Sequence, residues 1–313
     1  MNSLLKMKSL AATMVLLPML GVGAGAQNSG AKLFDTPQLA VDAFVSAVRN
    51  QDRASMFAIL GPETEEWLIT GDDVADKQNR DTFIAAFDQN SRLDTPDDET
   101  VVLHVGEDDF PFPFPVVKLE NGWSFDAEEG REEILDRRIG ENEVNAMQVI
   151  QAIADAQVEY STVDWDEDGM LEYATRFAST KGNRDGLYWP EEGAEYESPL
   201  GSLVAKAAAE GYTDEATGDT ATVPYHGYRY MLIMQQGENA KGGAHDYVVG
   251  DNMIGGYAVL AFPVSYNASG IMTFMMSYSG EIYERDLGAD TEDTALSIDT
   301  FDPGSDWSEV TPE

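Results

Sequence analysis

Asp164, Asp166 and Asp168 alternate along the stretch STVDWDEDGMLEYATRF, residues 161–177, and Gly169 follows at once. Calcium prefers hard oxygen donors, and carboxylates at alternate positions of a tight loop supply them, with a glycine at the sharp turn. The Met170 carbonyl could serve next, and Glu172 lies two residues further on. The last position of the common calcium loop takes a bidentate Glu, and that position falls on Thr175 here. Glu172 could substitute in a shorter loop. The metal set read from the sequence is therefore Asp164, Asp166, Asp168 and Glu172, holding a structural Ca2+ ion. The other reading is an acidic turn capping the helix before it, in a chain where Asp is abundant.

The remaining candidates for chemistry are sparse. There are 3 His in the chain. His104 stands in a strand-like run, His226 in PYHGYRY and His245 in GGAHDYVV. His226 and His245 could approach each other at a sheet rim, with Asp246 orienting one of them, as a metal or acid/base pair. Alternatively, each ring packs or caps a loop. Zero Cys removes thiol catalysis and every Cys-based zinc or iron–sulfur site. No GxSxG nucleophile elbow is present. The Gly-rich stretch GENAKGGAHDYVVGDNMIGG lacks both GxGxxG and the Walker Lys-Ser/Thr pair, which weakens any phosphate site. Lys181, Arg184 and Arg229 could meet an acidic ligand or form structural ion pairs. Tyr188 and Trp189 could stack on a sugar or peptide, or anchor a long loop.

The elements that must position these residues lie in a chain of 313 residues, 43% hydrophobic and 10% aromatic. That composition builds real cores. The net charge is −38, from 57 acidic and 19 basic residues. Such a surface repels nucleic acid and anionic lipid, and favours cations, basic partners or solubility in a saline medium. Residues 1–26 read as a secretory signal peptide: Lys6 and Lys8 precede an apolar run from Leu10 to Leu20, and Ala24-Gly25-Ala26 offers a cleavage site. The mature protein is expected to be periplasmic or extracellular. Nothing after Gln27 is long and apolar enough to span a bilayer.

Thr36 and Pro37 open a helix whose apolar positions are Leu39, Ala40, Ala43, Phe44, Ala47 and Val48. RASMFAILG predicts a second helix stopped by Gly61, and RDTFIAAFDQN a third. Strand-like runs ETVVLHVG, FPFPVVKLE and GWSFD follow, with a hairpin signal at Asn121-Gly122. Pro111, Pro113 and Pro115 interleave with Phe110, Phe112 and Phe114, which marks an edge strand or extended lip. A long helical pattern then carries Ile134, Ile139, Met147, Ile150, Ile153, Ala154 and Gln157 on one face, with Gly140 as a kink or break. This helix is expected to link two halves. The second half is loop-rich. It holds a helix in LGSLVAKAAAEGY, an acidic loop in TDEATGDTATVP and strands in GYRYMLIMQQ, MIGGYAVLAFPV and GIMTFMMSYSGEIYERDLG. The acidic tail from Asp299 is expected to fray.

Residues 130–310 resemble an uncharacterised family of exported bacterial proteins, domain of unknown function 2950, through GREEILDRRIGENE, DGMLEYA, KGNRDGLYWP, PYHGYRY, HDYVVGDNMIGGYAVLAFPVSYNASGIMTF and YERDLG. That resemblance implies export and carries no activity. Residues 35–126 resemble the cone-shaped nuclear-transport-factor-2 superfamily, in the helix pair TPQLAVDAFVSAVRNQDRASMFAILGPE and the hairpin ENGWSFD. Residues 143–288 resemble the head of a type IV pilin or pseudopilin in the order of AIADAQVEY, PYHGYRYMLI, GYAVLAFPV and GIMTFMMSYSGEIY, without the apolar assembly helix.

The sequence thus predicts an α+β protein: signal peptide 1–26, a cone of helices and curved sheet over 27–127, then a long helix and antiparallel sheet over 128–313. The expected function is that of an exported, acidic, non-enzymatic binding or envelope-associated interaction protein, its partner an envelope protein or small ligand. The alternative is an envelope enzyme using His226, His245 and Asp246.

Overall fold

In a computed structural model of the chain, residues 30–190, 196–210, 212 and 224–310 are described. The signal-peptide segment and most of TDEATGDTATVP lie outside them. The first helix, α1 (Pro37–Arg49), starts as its sequence dictates: Thr36 is extended, and its side chain accepts a hydrogen bond from the Leu39 N–H. The buried face is Ala40, Val41, Phe44, Val45, Ala47 and Val48, while Leu39 is exposed. The stripe sits about one position round from the one expected, because Val41 and Val45 complete it and Leu39 lies over the first turn. Helix α2 (Arg53–Leu60) stops at Gly61, whose φ of 113° suits a residue without Cβ. After the short α3 (Glu65–Leu68), α4 runs from Asp73 to Gln89, starting a full two turns before the expected Arg80 because Asp72 caps it.

A five-stranded antiparallel sheet follows: β1 (Ser91–Asp94), β2 (Thr100–Val105), β3 (Phe110–Pro111), β4 (Val116–Leu119) and β5 (Gly122–Phe125), in the order β1-β2-β4-β5 with β3 beside β2. Strands β3 and β4 pair with the same strand, and the Phe112 N–H still donates to Leu103 at 2.7 Å. The prolines interrupt what would otherwise be one strand. The β4–β5 turn is Glu120–Asn121, since Leu119 pairs Gly122.

Helix α5 (Ala127–Tyr160) is a single element of 34 residues that passes through Gly140 without a break. It is about 50 Å long at roughly 1.5 Å per residue. Its first half packs Ile134 and Leu135 on a core of Phe44, Leu60, Leu103, Phe114 and Phe125. Its second half buries Ile150, Ile153 and Ala154 in another core with Tyr228, Leu260, Phe262 and Phe274. After α6 (Gly201–Glu210), the second sheet is antiparallel in the order β14-β13-β12-β11-β6: β6 (Tyr228–Ile233), β11 (Ala258–Pro263), β12 (Met272–Ser277), β13 (Ile282–Asp286) and β14 (Ser308–Val310). All six residues of β11 are buried, and α5 and α7 (Thr291–Leu296) both pack on it. Two small ladders, β7 (Gln235–Gln236) with β8 (His245–Asp246) and β9 (Val248–Val249) with β10 (Asn252–Met253), form separate two-stranded sheets between β6 and β11 in the chain. The fold is α+β.

The tail does not fray before residue 310: Phe301 is 2% exposed and β14 completes the sheet edge beside β13. Apolar anchors set at intervals in an acidic segment are enough to dock it. Among the described residues no helix is long and apolar enough to cross a membrane.

Candidate metal centre

The alternating aspartates begin where α5 ends. Ser161 N–H donates to Gln157 and Thr162 Oγ1 to Glu159, closing the last turn. Trp165 then turns inward. Its indole N–H donates to the Tyr160 carbonyl at 2.9 Å, and its ring meets Tyr160, Trp189 and Tyr196. The Arg184 guanidinium lies over Trp165, Trp189 and Tyr196 at 5.3–5.6 Å, so Trp189 is among the rings that hold a cation of the chain itself. With Trp165 fixed, Asp166 beside it is left exposed and Asp164 half-buried.

Asp164, Asp166 and Asp168 each contribute one carboxylate oxygen to a group in which all three lie within 4.8 Å of one another. The loop is curled by Glu167 at φ 63° and Gly169 at φ 91°. No atom lies within 4 Å of where a Gly169 Cβ would stand, so it is the backbone conformation that asks for glycine there. Asp164 Oδ2 accepts from Gly169 N–H at 2.9 Å, Asp166 Oδ1 from Asp168 N–H at 3.2 Å and Asp168 Oδ1 from Met170 N–H at 2.8 Å. These bonds use one oxygen of each carboxylate. Asp164 Oδ1 is buried and has no hydrogen-bond partner among the described residues. A buried carboxylate oxygen without a donor is costly unless a cation or water meets it.

The loop is clamped from below. The Gln157 side chain is fully buried and pairs both ways with Ala174, amide to carbonyl and N–H to amide oxygen, each at 2.8 Å. Tyr173 N–H donates to Met253 at 2.9 Å. Glu172 is outside the trio. Its Oε2 accepts from Met253 N–H at 3.2 Å, and burial together with the charges of Asp166, Asp168 and Asp164 raises its carboxyl above the usual glutamate range. Asn252, on β10, donates from Nδ2 to Asp168 Oδ2. The chain after Gly169 runs into bends and an isolated bridge to Met253, with no second helix at Thr175. Three carboxylates placed this way could hold a metal ion.

The histidines fall apart from one another. His226 precedes β6, whereas His245 pairs with Gln236 beyond the other end of β6. The expected approach of the two is not made, because β6 stands between them. His226 Nε2 lies 3.3 Å from Glu210 Oε2, and its N–H donates to Tyr212 Oη. Burial lowers the imidazole below its usual value despite the Glu210 charge. His245 is exposed, with its ring nitrogens 3.2 Å from the carbonyls of Gly243 and Gly255. Asp246 is its neighbour along β8, and successive strand residues face opposite ways, so Asp246 does not orient that ring.

The protein family described as "protein of unknown function (DUF2950)" matches residues 31–310. The chain belongs to that family. The match begins far ahead of residue 130, where the resemblance was expected to start, so the first helices and the first sheet are part of the DUF2950 unit. No curated protein and no solved structure matched the chain.

Proposed function

We propose that this DUF2950 protein is an exported, non-enzymatic binding or interaction module whose Asp164–Glu172 loop is closed by a structural calcium ion. The observation that carries the metal is the convergence of Asp164, Asp166 and Asp168 oxygens within 4.8 Å, with Asp164 Oδ1 buried and without a donor. The donor set is entirely oxygen, which suits calcium over zinc or copper. The ion would tie the end of α5 to β10 through Asp168, whose Oδ2 already accepts from Asn252. The leader sequence supports export. The alternative, an envelope enzyme on His226, His245 and Asp246, is less well supported, since His226 lies before β6 and His245 and Asp246 lie beyond its other end.

Thermal unfolding of the exported chain in chelator, then with calcium, then with magnesium, tests the metal. Binding to the folded state alone raises the midpoint by mass action. A calcium-selective rise that Asp166→Ala abolishes is the expected result. Equal midpoints in chelator and calcium would refute the site.

A further inference from the structure

A second feature of the molecule lies between α4, α5 and the Phe/Pro stretch, away from the aspartate loop. It is a cleft of about 510 Å³. Part of its wall is a stack of rings: Phe44, Phe83 and Phe112 meet pairwise with centroids 5.1–5.7 Å apart. Phe114 and Leu60 continue that wall. Prolines at 111, 113 and 115 keep this stretch out of a regular ladder, and so free Phe112 and Phe114 to turn into the cleft.

The polar part of the lining inverts the charge of the molecule. It holds Arg80 from α4 and Arg137 and Arg138 from α5, against Asp76 and Glu141. Cations are scarce, with 19 basic residues to 57 acidic ones, and the other arginines show where they go. Arg49 pairs with Asp88, Arg53 with Glu65, Arg92 with Asp109 and Arg229 with Glu292. Arg138 donates to the Trp67 and Ala268 carbonyls and faces Asp76. Arg137 lies over the Phe110 ring at 5.0 Å. Arg80 lines the cleft with no ion pair or hydrogen bond among the described residues. An arginine left unmatched amid a threefold excess of carboxylates, beside an apolar wall, is placed for an anion that arrives from outside.

We propose that this cleft binds a single-tailed carboxylate: the chain lies against Phe44, Phe83 and Phe112, and the head group meets Arg80. At about 30 Å³ for each water-sized unit, the space suits a molecule of roughly 15 non-hydrogen atoms, the size of dodecanoate. Volumes of this order are usual for small-molecule sites. The negative charge of the rest of the surface does not forbid it, since exposed charges more than about 8 Å away are screened at physiological salt. This site is independent of the calcium loop.

The test is calorimetric titration of the full exported chain with dodecanoate below its micelle concentration, beside dodecanol and dodecyltrimethylammonium. One-to-one binding of dodecanoate is expected, about tenfold weaker for dodecanol and lost for the ammonium, because the charge-assisted bond to arginine is missing. Arg80→Ala should weaken dodecanoate about tenfold and leave dodecanol unchanged, and Arg80→Lys should recover part of the loss. Met56→Trp, which fills the cleft, should abolish binding of both. Unfolding midpoints close to the parent's would show the variants folded. No binding of dodecanoate to the folded parent overturns the proposal. So does equal binding of dodecanoate to the parent and to Arg80→Ala.

Discussion

Asp72 offers the sharpest test of how the two ends of this fold are held together. It is 1% exposed, and its carboxylate accepts four hydrogen bonds. Oδ1 takes the Val74 and Ala75 N–H groups at 3.1 and 3.0 Å, which caps α4. Oδ2 takes Tyr212 Oη at 2.7 Å and Gly227 N–H at 3.1 Å, which belong to the segments after α6 and before β6. Burial and this carboxylate push the Tyr212 phenol well above its usual range, so it remains a donor at any working pH. Asp72→Ala removes a cap worth about 1 kcal/mol. It also leaves two buried donors unmet, at about 1–3 kcal/mol each. The sum is about 3–5 kcal/mol, allowing for the cooperation of bonds sharing one group. In a chain of this size, at about 2.1 cal/mol/K of unfolding entropy per residue, that lowers the melting midpoint by roughly 5–8 °C.

The assay is calorimetry with urea unfolding of the parent, Asp72→Ala, Tyr212→Phe and the double variant. Tyr212→Phe alone should cost about 1–2 kcal/mol, because its hydroxyl both donates to Asp72 and accepts from His226. The double variant should cost less than the sum, since the Asp72–Tyr212 bond is lost only once. Asp72→Ala should also broaden or split the transition, because the cores on either side of the clamp then share chiefly α5. A loss under about 1 kcal/mol with a single unaltered transition would refute the clamp.

Three further outcomes follow from other parts of the chain. Gly140→Ala should stabilise α5 by about 0.5–1 kcal/mol, as its Cβ meets nothing within 4 Å. Gly130→Ala in the same helix should destabilise, because its Cβ would stand 2.3 Å from the Pro113 carbonyl oxygen; chemical denaturation of the pair reads both signs. In chelator, Glu172 should make the protein more stable as pH falls through the range just above the ordinary glutamate value. Its folded pKa is raised, so its contribution is present at low pH and lost as pH rises through that value. Glu172→Gln should flatten this part of the profile, and an unchanged profile would contradict the assigned environment.

Local signals in the sequence led to correct local structure wherever a cap or a breaker spoke plainly. Thr36, Pro37 and Gly61 bound their helices as read. Gly140 did not, because a helix anchored by Ile134 on one core and Ile150 on the other bridges a single glycine at a cost of about 1 kcal/mol. Strand β1 (Ser91–Asp94) went unseen because it is a polar edge with no apolar alternation. Helix α7, in the acidic TEDTAL, went unseen, and strand β14 was hidden in the acidic tail, where composition suggested solvent although Phe301 docks it.

The aspartate loop divides along the same line. The trio is local, so its spacing predicted the cluster. Its partner Asn252 is 84 residues away and no spacing rule reaches it. Glu172 looked like a ligand by count, but it is drawn to the Met253 N–H because the Tyr173 bridge fixes the chain's path there. The same bridge gives the loop a reason to exist without a ligand: it turns the chain off α5 and onto the sheet edge at Met253. What such a turn does not need is Asp164 Oδ1 buried without a donor. An acidic turn that served only to reverse the chain would leave that oxygen in water or give it an N–H. The buried, unmet oxygen is therefore the atom on which the metal reading rests. Asp164→Asn would test it directly: in chelator it should stabilise the fold, and in calcium it should lower the midpoint.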